Sequence, residues 1–269
     1  MSYWQNKRAL VTGASSGLGR TLVDTLADRG ARVALVARDS SNLNQVAEEL
    51  RLRAGDVLTI PADVTVVTDV ERMAATVRER WKGLDFFCHC AGRSMRGEVT
   101  KTSIDDFQEL WELNFLAAVR GVQAFADDLI ESHGHIVLVS SLAGKVATRY
   151  LGAYPASKFP LNALAQQLRL QLGPRGVNTL LVSPGPIAHD DAADRYANQT
   201  ANLPQAAARP GGTRLKPIDP KWLAEKILRA SERRQAELVV PGKARLLFAL
   251  AQLWPNFGDW ILQRKSNSD

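Results

Sequence analysis

The sequence predicts an α/β fold, one doubly wound parallel sheet with helices on both faces. Three observations carry that reading. Short apolar runs alternate with helix-length segments along most of the chain, the pattern of strand–helix–strand units. The first run, residues 8–11, leads into TGASSGLG, a turn holding Gly13, Gly17 and Gly19, and then into a helical pattern through Leu22, Val23 and Leu26. Residues 84–90 are almost continuously apolar, as a parallel strand buried on both faces requires.

A length of 269 residues suits one domain with a short appendage, divided here into residues 1–242 and 243–269. The formal charge of +6 suits an anionic ligand, but the basic residues are dispersed, which argues against a nucleic-acid protein. The two cysteines, Cys88 and Cys90, are spaced for neither a disulfide framework nor a zinc site. They are expected to be buried thiols in a reducing, cytoplasmic compartment. No metal site is expected. Residues 7–12 already read as a strand, so no signal peptide is expected. No apolar run reaches the length of about 18 residues needed to suggest a spanning helix.

The glycine-rich turn comes first in order. Its glycines let the backbone turn sharply and approach a pyrophosphate, and the following helix offers free amides and the positive end of its dipole. Gly13, Ser15, Ser16, Gly17, Leu18 and Gly19 are therefore assigned to a dinucleotide cradle. The second strand, residues 32–36, ends at Ala37 with Arg38 next. An acid there would select NAD. An arginine can pair with a 2′-phosphate, so NADP(H) is preferred over NAD(H). Asp39 is placed to neutralise Arg38. A helix over 42–53 and a strand over 57–61 follow, and Asp63-Val64 ends that strand where an adenine should lie. A helix over 69–81 precedes the fourth strand, which ends at Cys90-Ala91-Gly92, small enough for a ribose to approach.

Residues 104–131 read as one long helix with Asn114 inside it. Asparagine disfavours helix interiors and is costly when buried without partners. It is either a satisfied core residue or a holder of water near Lys158. The fifth strand, residues 136–139, ends at Ser140-Ser141. Tyr154 and Lys158 lie four apart, on one helix face. A phenol ordinarily keeps its proton to about pH 10, and a nearby ammonium favours the phenolate. Ser141 could hold a substrate oxygen at the same site. The trio can give a proton to a carbonyl oxygen or take one from an alcohol. Pro155 suits a first helical turn, while Pro160 removes a helical hydrogen bond and should kink the helix just after Lys158.

The sixth strand, residues 177–182, runs into SPGPI, a stiff turn with Pro184, Gly185 and Ile187 at the cofactor. Residues 189–215 have no clear period and read as a lid or a partly disordered loop. Asp219-Pro220 caps a helix, and residues 238–240 form a last strand. In the tail, Leu246, Leu247, Leu250, Leu253 and Trp254 recur at helical spacing, then Phe257, Trp260, Ile261 and Leu262, flanked by Lys243, Arg245, Arg264 and Lys265. This is either a helical hairpin packed on the core or a second subunit, or a face resting peripherally on a membrane.

With TGASSGLG, Asn114, the Ser141/Tyr154/Lys158 set and PGPI in this order, the chain resembles the short-chain dehydrogenase/reductase family up to about Gly242. The resemblance implies a Rossmann-type seven-stranded sheet in the order 3-2-1-4-5-6-7, a nicotinamide cofactor and a homo-oligomer. It implies that Tyr154 is the general acid/base, that Ser141 orients the substrate oxygen, and that Lys158 binds the nicotinamide ribose and tunes Tyr154. Asn114 would carry the water of a proton relay. Two positions depart from the family pattern. Cys90 stands where asparagine is usual, and His189 where a threonine often holds the nicotinamide amide. The expectation is an NADP(H)-dependent oxidoreductase interconverting a small-molecule ketone or aldehyde and an alcohol. Its rivals are a cofactor-binding regulatory protein without turnover and a lipid-surface protein served mainly by its tail.

Overall fold

Seven strands pair in parallel: β1 (Arg8–Thr12), β2 (Arg32–Ala37), β3 (Val57–Pro61), β4 (Phe86–His89), β5 (His135–Val139), β6 (Asn178–Pro184) and β7 (Glu237–Val240). Their order is β3-β2-β1-β4-β5-β6-β7, as expected. The computed structural model describes residues 2–51, 53, 56–189, 196–200, 203–204, 207 and 215–267. The strand order reverses between β1 and β4, which opens a crevice at the carboxyl ends of the strands.

Strand alternation divides the core into two layers. Ala9, Val11 and Val33 face α1 (Gly17–Asp28) and α9 (Pro220–Glu232), meeting Leu22, Leu26, Leu223 and Ile227. α2 (Ser40–Arg51) adds Leu43 and Leu50 on that side. Leu10, Ala34 and Val36 face the opposite way, toward Met73 of α3 (Val67–Trp81), Phe125 of α5 (Ala117–Glu131) and Leu161 of α7 (Pro160–Leu172). Each such side chain contributes about 1.5–3 kcal/mol when fully buried, so the two layers hold the sheet, and with it the crevice, rigid.

Three expectations need correction. β4 is shorter than the apolar run, because Asp85 precedes it. The Asp85 carboxylate accepts from the Arg8 amide (2.9 Å) and from Arg8 Nε (2.7 Å), so it fastens β1 at its start rather than extending the strand. The helix expected over 104–131 is continuous but changes its hydrogen-bond period inside. α4 (Ile104–Trp111) and α5 are separated by a π turn, Glu112–Leu116, in which the Ala117 amide reaches back five residues to the Glu112 carbonyl. The turn contains Asn114, whose side chain bonds outside the helix. The segment 189–215 contains a short helix, α8 (Ala197–Thr200); its residues 190–195, 201–202, 205–206 and 208–214 lie outside the described residues. Where a kink was expected after Lys158, the helix is interrupted at Phe159: α6 (Tyr154–Lys158) ends there and α7 starts at Pro160. The tail is helical, as α10 (Ala244–Leu253) and α11 (Pro255–Asn267), joined at Trp254.

Candidate active site

The glycine-rich turn leaves β1 toward α1. Gly13 has φ +70° and Gly17 φ +53°, in the region that disfavours side chains. A Cβ on Gly19 would stand 2.2 Å from the Gly13 carbonyl oxygen, and one on Gly13 2.9 Å from Ala91 Cα. The turn therefore lies directly against Ala91. The α1 N-cap, Ser16, is extended and makes no side-chain capping bond, so the first amides of α1 keep their capacity for an anion. Ser15 is half-buried beside them, and Leu18 anchors the turn in the core. The imidazole of His189 closes over this turn, with Cε1 3.1 Å from where a Gly17 Cβ would be.

Arg38 is exposed at the end of β2. Asp39 does not neutralise it. Its Oδ1 accepts from the amides of Ser41 (2.9 Å) and Asn42 (3.1 Å), and its Oδ2 from Asn42 Nδ2 (2.8 Å), so Asp39 starts α2. The acid that feels Arg38 is Asp63. Burial pushes the Asp63 carboxyl up, but bonds from the Thr65 hydroxyl and amide, with Arg38 beyond them, hold it below its ordinary value. Val64 is buried beside Asp63.

At the end of β4, Thr12 Oγ1 accepts from the amides of Cys90 (3.2 Å) and Ala91 (3.1 Å). This joins β4 to the head of the glycine-rich turn. Cys88 and Cys90 are free thiols; Cys88 is buried as expected, whereas Cys90 is only half-buried at the strand end. Burial pushes Cys90 up to about 12 against the pull of Lys158, so it stays a thiol. Gly92 is exposed, and a Cβ on it would stand 2.7 Å from Asn114 Oδ1 and 3.1 Å from Lys158 Nζ. Only a glycine lets the chain pass between these two groups and the open crevice.

Asn114 is fully buried. Its Oδ1 accepts from the Arg93 amide (3.0 Å), and its Nδ2 donates to the Arg93 carbonyl (2.9 Å) and to Ser157 Oγ (2.9 Å). Those bonds fix the π turn to the β4 loop and to α6. Lys158 is buried, with Nζ 3.0 Å from the Val139 carbonyl. Burial lowers it to about 8, with Cys90 working the other way, so it is mainly an ammonium at neutral pH. Tyr154 begins α6 and packs half-buried on Met95, Leu110 and Ala153. A tight reversal presents it: Tyr150 has φ +60° and Gly152 φ +49°, and Gly97 pairs with this loop through bonds to Tyr150 and Gly152. Ser141 follows β5 and caps a short turn, its Oγ accepting from the Ala143 amide at 3.0 Å. Gly185 donates its amide to the Val240 carbonyl at 2.8 Å. Ile187 pairs with Ile218 just beyond, so the Pro184-Gly185 turn closes the β6 side of the crevice.

Sequence reasoning missed Arg96. Its guanidinium is buried, donating to the carbonyls of Ala207 (3.1 Å) and Met95 (2.8 Å), with Tyr196 stacked at 4.0 Å. Arg96 thus ties the loop after β4 to described residues of the 189–215 segment. A lone basic residue in a loop carries no sequence signal for that role.

The fold and the site define a dinucleotide-binding α/β domain with a serine, tyrosine, lysine and asparagine gathered at the carboxyl edge of its sheet. The chain belongs to the short chain dehydrogenase family, whose model matches residues 7–200. It is similar to a dehydrogenase/reductase SDR family protein 7-like of Drosophila melanogaster, 28% identical over 266 residues, covering 97% of this chain and 80% of that protein. The structure is similar to an alcohol dehydrogenase from the archaeon Thermococcus sibiricus, complexed with 5-hydroxy-NADP (TM-score 0.74, 26% identity, 87% of this chain and 96% of that one). It also shares its fold with L-sorbose reductase from Gluconobacter frateurii, complexed with NADPH and L-sorbose (TM-score 0.78, 22% identity, 87% and 95%).

Proposed function

We propose that this oxidoreductase uses NADP(H) to interconvert a ketone or aldehyde and the corresponding alcohol, with Tyr154 as general acid/base. The observation that carries the reading is the buried Lys158 ammonium, one turn along α6 from Tyr154 and flanked by Gly92 and Asn114 beside the glycine-rich turn. Bound NADPH would supply the hydride. The glycine turn and the uncapped start of α1 fit its pyrophosphate, Arg38 its 2′-phosphate, the Asp63-Val64 end of β3 its adenine, and Cys90 through Gly92 a ribose. Pro184, Gly185 and Ile187 border the nicotinamide side. Tyr154 then delivers a proton to the carbonyl oxygen, and Ser141 orients that oxygen. Lys158 favours negative charge on the tyrosine oxygen and would hold the nicotinamide ribose of the bound cofactor. Asn114 spends its side chain on Arg93 and Ser157, so its part in a proton relay would run through its backbone and the water that this holds. A positioned acid contributes roughly 10²–10⁴ in rate. The test is loss of NADPH absorbance across a panel of ketones and aldehydes, with NADH alongside. No turnover with any of them would favour the regulatory reading.

The tail supports a second reading, a surface that docks on a membrane or on a second copy of the chain. Leu246, Leu253, Trp254, Phe257 and Trp260 are exposed, Phe257 stacks on Trp260, and Arg264 lies over Trp260 at 4.3 Å. An apolar face with aromatic and basic residues suits a lipid interface as well as a subunit contact. No helix among the described residues is long and apolar enough to cross a membrane. Truncation after Gly242, followed by vesicle cosedimentation and size-exclusion chromatography, separates the two. We place the protein in the cytoplasm as a homo-oligomer, a reading that the unpaired Cys88 and Cys90 support for the compartment.

A further inference from the structure

His89, the last residue of β4, is fully buried and lies opposite Thr12 in the β1–β4 ladder. Thr12 Oγ1 already accepts two amides, those of Cys90 and Ala91, which occupy both of its lone pairs. It also meets His89 Nδ1 at 3.3 Å. Its one hydrogen must therefore point at Nδ1, which makes Nδ1 an acceptor and puts the ring proton on Nε2. Nε2 has no partner within hydrogen-bond geometry. The backbone of Leu113, the residue before Asn114 in the π turn, acts on the ring as a hydrogen-bond acceptor, and with Nδ1 taken by Thr12 it is the acceptor assigned to Nε2. An unpaired buried donor is costly, which favours that pairing.

We propose that His89 is a positioning residue, its uncharged ring wedged between Thr12 at the head of the glycine-rich turn and the π turn that carries Asn114. The wedge keeps Asn114, and through Ser157 the helix bearing Lys158, in register with the cofactor turn. This rests on the reading of Asn114 and Lys158 as catalytic machinery. The ring stays uncharged, because burial and the Lys158 ammonium both disfavour its charged form; Thr12 and the Leu113 backbone are the other groups that act on it. Burial first, and then Lys158, hold His89 down at about 3. A leucine could fill the space but would neither accept from Thr12 nor offer an N–H toward Leu113. Glutamine reaches far enough to offer an N–H to Leu113, whereas asparagine reaches only Thr12.

The chain has four histidines, so nitrogen NMR on histidine-labelled protein can read each ring, with His89→Asn as the assignment control. His89 should show the Nε2–H form and not titrate between pH 5 and 8. The Asn114 side-chain amide signal should move in His89→Asn and stay in His89→Gln. On a carbonyl substrate, His89→Asn and His89→Leu should bind NADPH within about threefold of wild type but lose about tenfold or more in turnover, since a displacement of about 1 Å can cost about 100-fold. His89→Gln should recover to within about threefold of wild type. An Nδ1–H ring, an unmoved Asn114 signal in His89→Asn, or equal turnover loss in Asn and Gln variants would overturn the proposal. A loss seen only in thermal midpoint would do the same. If His89→Leu fails to fold, the wild-type ring state and the Asn/Gln comparison decide. A wild type without turnover on any carbonyl would fault the catalytic reading, while the NMR results would still judge the wedge.

Discussion

Replacing Lys158 by methionine separates what the buried ammonium does for stability from what it does for function. Lys158 is held inside the protein, and burial lowers it from 10.5 to about 8. That drop is a penalty of roughly 3 kcal/mol on the charged form near neutral pH. Methionine removes the penalty but orphans the Val139 carbonyl, which costs about 1–3 kcal/mol. At about pH 7 the variant should thus be as stable as wild type or up to about 2 kcal/mol more stable. The pH dependence is sharper. Between about 8 and 10.5 the unfolded chain binds the lysine proton and the folded chain does not, so wild type gains stability as pH rises through that window. From about pH 7 to pH 10 the balance should shift toward wild type by roughly 2.5 kcal/mol. Urea unfolding of both proteins at both pH values gives the number, and subtraction removes the groups that they share. NADPH affinity and turnover should fall in the same variant. A stability difference that stays flat with pH would show that Lys158 is not charged and buried in the folded protein, and the electrostatic argument for it would fail.

Three other outcomes follow. Tyr154→Phe should keep NADPH binding and lower turnover by about 10²–10⁴, checked by steady-state kinetics beside fluorescence titration; wild-type turnover would remove Tyr154 from the acid role. Arg38→Leu should weaken NADPH binding by roughly one to two decades, from a charged hydrogen bond of about 1.5–3 kcal/mol, and leave NADH binding unchanged; equal losses for both cofactors would return Arg38 to the solvated surface. Burial first, and then Arg234 and Lys7, hold His135 down at about 4 against the pull of Asp85, so its contribution to stability is complete above about 6.5 and falls as pH drops toward 4. That slope amounts to roughly 3 kcal/mol, and His135→Gln should flatten it in acid-unfolding curves.

The strands and the Tyr154–Lys158 spacing were legible because they depend on local signals: apolar runs, glycines, and a four-residue helical repeat; the strand order followed only from the family resemblance. A disturbance at Pro160 was legible from a local signal too, since a missing amide is written in the residue itself. Asn114 was legible only as an anomaly. Its polarity inside an apolar helix marked it, but the π turn depends on the Arg93 backbone and Ser157, which are distant in sequence. Asp85 hid inside an apolar run for a similar reason, because the partner that ends the run there is Arg8. His89 and Arg96 gave no signal at all; each gains its role from groups that only the folded chain brings near.

The pairing of Arg38 shows why adjacency in sequence is a weak guide to charge. Asp39 is the next residue, yet three bonds from the start of α2 take up its carboxylate, and a side chain so engaged has little left for a neighbour. Asp63 lies across the sheet edge and is the acid that Arg38 reaches electrostatically. Its carboxylate is in turn satisfied by the Thr65 amide and hydroxyl, so it does not depend on the arginine. An exposed pairing of this kind contributes about 0–1 kcal/mol. Two parallel bonds from a guanidinium to a phosphate are stronger, at about 1.5–3 kcal/mol for each charged hydrogen bond. A 2′-phosphate should therefore displace Asp63 as the partner of Arg38. The cofactor preference proposed here survives the correction to Asp39, and its competitor becomes the acid at the end of β3.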